Sequence, residues 1–348
     1  MKDILLSEYL PVSELIVEQH EVIKARFPVI DFHTHYSLKY FRNSSRNDIA
    51  NEIKRLHEYG VAGIVCLGNY WEKELEEMVK ATSEFNNFFV TFGSVDVTKI
   101  SDPDFGKYAS SVIREGYKKG MRGLKFFKSL SLKYKDSNGK FIRADDERLK
   151  PIWETAGELN IPVLIHIADP VAFFKPVDRF NERFEELNVY PDWSYASDEF
   201  FRFDELMEMQ ENLISSNKNT TFVIAHVGSM SENLKFVSQQ LDKYPNMYVD
   251  ISARIAELGR QPYTARKFMI NYQDRILFGT DGSSTEEELY PYYFRFLETW
   301  DEYFDYYKSY TQGRWKIYGI GLPDEVLRKI YYENAIKLVP EFSSCCDI

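Results

Sequence analysis

Residues 27–37 read FPVIDFHTHYS, and this stretch decides how the chain is understood. A short apolar run of the kind that forms a buried strand ends in two histidines one residue apart. Side chains alternate faces along a strand, so His33 and His35 point one way and Thr34 the other. Two charged imidazoles this close would repel, whereas two neutral ones can share a metal ion.

Working outward, seven more short apolar runs follow at intervals, at 61–68, 88–97, 121–127, 161–168, 221–228, 246–252 and 275–282. Between them lie amphipathic stretches such as SRNDIANEIKRLHEYG (45–60), DDERLKPIWETAGELN (145–160) and SENLKFVSQQLDKYP (231–245). Several open on Ser or Asp and close on Gly, Asn or Pro, as helix caps do. Eight strand–helix repeats predict an α/β fold, a closed (β/α)8 TIM barrel, with an open doubly wound sheet as the alternative. The expected organisation is one domain over 1–348, with flanking helices at residues 1–26 and at the C-terminal end. A long aromatic and charged insertion, 169–200, follows the fifth strand; a loop of that length is commonly a lid or binding element.

The chain has 348 residues, is 44% hydrophobic and holds 26 Phe and 24 Tyr, enough to fill such a core. A net charge of −11 argues against a nucleic-acid partner, which would require a basic face. No run approaches the 18 or more apolar residues of a membrane span, and the N-terminal stretch lacks the apolar centre of a signal peptide. Cys66 sits in an apolar run and Cys345 and Cys346 are adjacent near the end, which is not a disulfide framework. A reduced, cytoplasmic setting is expected, although a leader already removed would leave the same sequence. The aromatic, acidic segment 288–310 must bury its rings on the barrel's outer layer or against another subunit, so a homo-oligomer is an open expectation.

Of six histidines, four end predicted strands: His33 and His35 on the first, His166 on the fifth and His226 on the sixth. The eighth strand ends in Asp281. All strands of such a barrel point their carboxyl ends at one mouth, so residues separated by the whole chain would meet there. Imidazoles and a carboxylate at one mouth suit zinc or another divalent ion. His20 and His57 fall in helical stretches and read as surface or packing residues.

The ordered set DFHTH, LIHIADP, FVIAHVG and LFGTDGS resembles the amidohydrolase superfamily. It is most similar to the branch that includes aminocarboxymuconate semialdehyde decarboxylase and the amidohydrolase-2 proteins, over residues 27 to 340. The resemblance implies a metal-dependent barrel acting on a small-molecule substrate. It implies one divalent ion, zinc first with manganese or iron as alternatives, held by His33, His35, His166 and Asp281. It places His226 beside the ion as an acid/base or a polariser of the substrate. Asp281 would bind the ion and take the proton of an attacking water. The expected reaction is hydrolysis of an ester, lactone or amide; the alternative is decarboxylation of a small acid, and a barrel keeping its metal for stability alone is the third reading.

Four further residues are candidates for substrate contact. Lys125 on the fourth strand is a substrate-binding cation, a carbamylated bridge between two metals as in binuclear members, or a packed lysine. Arg254, after the seventh strand, would grip a carboxylate or start a surface helix. Trp193 and Tyr195 would close over the substrate or anchor the insertion. Asp250 reads as a residue of the barrel wall, paired with a neighbour rather than bound to metal.

Overall fold

A computed structural model describes residues 3–85, 87–286, 288–307 and 312–345. Eight parallel strands lie in sequence order: β1 (Val29–Thr34), β2 (Val61–Leu67), β3 (Phe89–Gly93), β4 (Gly123–Phe126), β5 (Val163–Ile165), β6 (Phe222–Ile224), β7 (Met247–Asp250) and β8 (Ile276–Leu277). Each falls within a run read from the sequence, and each is shorter than that run. The lost residues are mostly at the carboxyl ends, where the backbone leaves the sheet to build the mouth. The ring closes between the last strand and the first: Phe32 N donates to Phe278 O at 3.0 Å, Asp281 N to His33 O at 2.8 Å and His35 N to Gly282 O at 2.7 Å.

Alternation along the strands sorts two cores. Val29, Ile64, Cys66, Val163, Ile165, Phe222, Ile224 and Phe278 face the helices. Their neighbours Ile30, Phe32, Val65, Leu67, Leu164, Val223 and Leu277 fill the barrel interior, together with Phe342 from the C-terminal segment. On β1 the pairing register shifts between Asp31 and Thr34. That irregularity lets His33 reach the interior although it directly follows Phe32.

The helices of the outer layer follow their caps. Arg46–Glu58 starts from a Ser45–Asp48 capping box, and Lys150–Glu158 carries Pro151 in its first turn. The C-terminal segment is helical without a break from Asp324 to Leu338, with a π-helical turn at Lys329–Glu333, as expected. The N-terminal expectation fails: residues 3–28 hold only a 3-10 turn, Leu6–Glu8. A short helix is stable when an apolar face packs on something; here Ile4, Leu10 and Ile16 face solvent, and Pro11 interrupts the run. The insertion after β5 is ordered into the turns Val171–Phe174 and Pro191–Trp193 and the helix Phe184–Val189.

Tyr290, Tyr293, Phe294, Phe296, Phe304 and Tyr306 bury within the chain, whereas Trp300 (66%) and Tyr303 (37%) stay exposed. Tyr290, Tyr293 and Phe294 on Leu289–Glu298 pack around Phe278 and Tyr331, so this segment is outer barrel layer. Residues 308–310 of the aromatic run, like Cys346, lie outside the described residues. Among the described residues no helix is long and apolar enough to cross a membrane.

Candidate metal centre

The mouth is assembled first by the closure of β8 on β1. Gly279 sits so close to β1 that a Cβ there would lie 2.9 Å from His33 Cβ, so only glycine allows this approach. Asp31, fully buried, ties the two ends together: it accepts from Thr280 Oγ1 at 2.6 Å, Tyr290 OH at 3.0 Å and the backbone N of Thr280 and His33 at 3.1 Å. Burial pushes its carboxyl up to about 6 despite these donors. Beyond the sheet the backbone takes left-handed values at His226 (φ 58°), Ala253 (φ 50°) and Asp281 (φ 67°). Such conformations cost roughly 1–3 kcal/mol each and concentrate at functional sites. They aim the strand-end side chains inward.

What they aim is a compact triad. His35 Nε2 lies 2.8 Å and His33 Nε2 3.3 Å from Asp281 Oδ1, and the ligand atoms of the three residues all fall within 4.8 Å of one another. His33 Nδ1 is 2.8 Å from Asp250 Oδ2, which leaves Nε2 as the nitrogen presented to the triad. A carboxylate behind a ligating histidine is the usual way its tautomer and ring orientation are fixed. Burial and Lys125 both disfavour charge on His33, yet Asp250 and Asp281 outweigh them and raise its proton affinity. Burial would raise Asp281 as well, but the facing imidazoles hold it well below the usual carboxylate range. His35 is lowered by burial, against the pull of Asp281, and is neutral at pH 7. A spot that draws protons onto a buried imidazole draws cations, and the donor set of imidazoles and a carboxylate fits a divalent metal.

Asp250 also accepts from His226 N at 2.9 Å and from Ser252 Oγ at 2.5 Å. Its expected pairing with a neighbour is therefore met, by three neighbours. His226 Nδ1 stands 2.9 Å from the carbonyl of Ser252, an acceptor only, so that nitrogen carries the proton and Nε2 is bare. His226 Nε2 lies 3.3 Å from His166 Nδ1. His166 meets the site through that contact and stands outside the triad. Burial lowers it to about 4, so it too is neutral. Its buried Nε2 is 3.3 Å from Asp169 Oδ1 but makes no hydrogen bond. Asp169 is in turn held by Lys128, whose Nζ is 2.5 Å from Oδ2.

Lys125 is fully buried, with Nζ 3.1 Å from His33 Nε2 and 4.8 Å from the Phe127 ring centroid. Burial lowers it to about 8. It lies behind the triad and does not line the cavity that opens above it, a space of about 480 Å³. That cavity is walled by His35, His166, His226 and Asp281 on its floor and by Lys128, Asp169, Arg183, Glu186, Arg254 and Trp193 around it. Arg254 is nearly buried, donates from Nη1 to Ala253 O at 2.8 Å and has no ion-pair partner within 4 Å among the described residues. Trp193 stacks on Tyr190, with centroids 4.3 Å apart. Tyr195 stands behind Lys128, 5.7 Å from its Nζ, rather than on the cavity wall.

Sequence reasoning passed over Lys128 and Asp169, although both sit three residues beyond singled-out positions, Lys125 and His166. It also missed Arg183, buried between Glu186 (2.8 Å) and Glu257, which fastens the insertion to the segment after β7. Nothing in the sequence links residues 183 and 257.

Comparison with known proteins adds the lineage. A family model described as amidohydrolase matches residues 30–340. No curated protein sequence matches the chain. Among solved structures, a TIM-barrel protein from Bordetella bronchiseptica superposes with a TM-score of 0.58 at 14% identity, covering 91% of this chain and 99% of its own. A 2,6-dihydroxybenzoate decarboxylase from Rhizobium superposes with a TM-score of 0.53 at 12% identity, covering 90% and 98%. A 5-carboxyvanillate decarboxylase from Novosphingobium aromaticivorans, complexed with manganese, gives 0.51 at 11% identity, covering 92% and 99%.

Proposed function

Because the chain belongs to the amidohydrolase family, we propose that it is a metal-dependent hydrolase of an ester, lactone or amide bond in a small, carboxylate-bearing substrate. The observation that carries this reading is Asp281, which completes the imidazole triad with one oxygen while its carboxylate opens onto the cavity floor. His33, His35, His166 and Asp281 would hold one divalent ion, zinc first and manganese or iron also suited to these ligands. Such an ion supplies activated water near neutral pH and polarises a carbonyl. Asp281 takes the proton of the attacking water and returns it to the leaving oxygen or nitrogen. His226, whose Nε2 is bare, takes at that atom the second proton of the water as the product acid ionises, and gives it up to solvent. Arg254, which has no ion-pair partner within 4 Å among the described residues, grips the substrate carboxylate. Lys125 would then act on the ligand set through His33.

The alternative, loss of carbon dioxide from a small acid, draws support from two fold relatives named as decarboxylases. The wall of charged side chains weighs against it, because carbon dioxide leaves fastest from a carboxylate stripped of polar surroundings. Incubating the metal-loaded protein in 18O-water with carboxylated lactones, esters and amides, beside a set of hydroxybenzoates, separates the two. Label in a product acid without carbon dioxide supports hydrolysis; carbon dioxide without label overturns it in favour of the lyase.

A further inference from the structure

Where the insertion meets the segment after β7, Arg183, Glu186 and Arg254 line the cavity with Glu257 behind them, each less than a tenth exposed. Arg183 lies between the two carboxylates, with Nη1 2.8 Å from Glu186 Oε2 and Nη2 on Glu257. Arg254 pairs with neither, yet its charge is felt at Glu186, whose carboxyl burial raises against the pull of both arginines. Both residues keep something open. Glu186 Oε1 and Arg254 Nε and Nη2 make no hydrogen bond among the described residues, and none of them is sealed off as Arg183 Nε and Glu257 Oε2 are. The other carboxylates of the wall are engaged: Asp169 by Lys128, and the exposed Glu286 by Ser283 N and Oγ at 3.0 and 2.9 Å.

Charge balance selects the ligand. Two guanidinium groups and two carboxylates are buried here and sum to zero, and Arg260 beyond them is balanced by Glu182. A ligand that brings one net charge leaves a charge uncompensated in this buried place, whereas an end carrying one charge of each sign does not. Resting on the hydrolytic reading of this same site, we propose that Arg254 and Glu186 together hold the head of an α-amino acid, its carboxylate on Arg254 and its ammonium on Glu186 Oε1. The size fits. Amine nitrogen and carboxyl carbon stand about 2.5 Å apart in such a head. A charge-assisted hydrogen bond of about 2.8 Å at either end lets it bridge two side chains too far apart to pair directly. Because the amino and carboxyl groups of the head are both free, the bond broken is an ester or amide of the side chain, whose stem lies against Phe173, Trp193, Ile255 and Leu289. Water adds across that bond: its oxygen joins the acyl carbon, one proton goes to the departing oxygen or nitrogen, and an acid leaves with an alcohol or amine. A lactone closed by the α-carboxyl is excluded, since it has no carboxylate to offer Arg254.

Calorimetric titration of the metal-loaded full chain with norleucine, hexanoate and 2-hydroxyhexanoate reads the head alone, since none of the three can be hydrolysed. Norleucine should bind at least about tenfold tighter than either of the others, as one buried charge-assisted hydrogen bond warrants. Glu186→Gln, with its fold checked by melting, should shrink that ratio to within about threefold. Chelation of the ion by the amino acid, the competing cause of tight norleucine binding, would survive this substitution. Turnover is followed separately, with the γ-methyl ester of glutamate beside monomethyl glutarate, and kcat/KM should favour the first by a similar factor. Norleucine that does not bind, or binds no better than hexanoate or the hydroxy acid, overturns the inference, as does a preference that persists in folded Glu186→Gln. Preferential binding of norleucine, lost in the variant, with no ester or amide cleaved supports the inference and overturns the hydrolytic reading alone.

Discussion

Asp250→Asn is the most informative single change, because the structure offers the amide no good orientation. Asp250 faces donors on both sides: His33 Nδ1 at 2.8 Å on one oxygen, and His226 N, Ser252 N and Ser252 Oγ on the other. If the asparagine turns its oxygen to His226 and Ser252, its NH2 meets His33 Nδ1. The imidazole must then move its proton to Nε2, the atom it presents to Asp281 and His35. If the amide is reversed, the NH2 faces the backbone donors of His226 and Ser252 instead. One unmade buried hydrogen bond costs about 1–3 kcal/mol. With unfolding entropy near 2.1 cal/mol/K per residue over 348 residues, that corresponds to a Tm roughly 1.5–4 °C lower. For metal binding, losing the carboxylate behind a ligating histidine typically costs 10–100-fold, or about 1.4–2.7 kcal/mol. Competition with a chromophoric chelator measures the affinity and differential scanning calorimetry the Tm. An affinity within about twofold of the parent would refute the tautomer argument.

Gly279→Ala should place a methyl against His33 Cβ and force β8 from β1; overpacking of this kind costs about 1–3 kcal/mol, and both Tm and metal affinity should fall, measured as above. Arg183→Met leaves Glu186 and Glu257 buried without their shared cation. It should cost about 3–5 kcal/mol in chemical denaturation and expose the insertion to protease. The hold of the N-terminal arm on Asp301 through His20 should be pH-dependent. The hydrogen bond and charge of Asp301 raise the His20 imidazole above its ordinary 6.5. The stabilisation is therefore full below about pH 6.5 and is lost as pH rises through the raised folded value. Limited proteolysis within residues 3–24 should be slower at pH 6 than at pH 9, and His20→Gln should abolish the difference.

The barrel was legible because its signal is periodic and repeated: eight apolar runs, each ending in a turn, leave few architectures. That His33, His35 and Asp281 meet at the mouth was legible because strand ends converge there in such a barrel, although 246 positions separate His35 from Asp281. Asp250 was readable as a paired wall residue, while its three partners depended on a bulge and on left-handed backbone that no local pattern announces. Lys125 misled for a related reason: strand position fixes which way a side chain points but not how deep it sits, and Lys125 lies below the cavity where Lys128 lines it. The N-terminal arm was misread as a helix because its apolar spacing suits one. Spacing cannot say whether a surface exists for that face to pack on, and here Ile4, Leu10 and Ile16 stay exposed.

The central claim is that the carboxylate of Asp281 and the imidazoles around it hold a metal ion. Elemental analysis of the full chain after reconstitution with zinc or manganese, beside Asp281→Asn, tests it most directly. The account predicts about one divalent ion per chain in the parent and roughly a tenth of that or less in the variant. A parent protein that holds no ion under either condition, or a variant that binds as much as the parent, would contradict it.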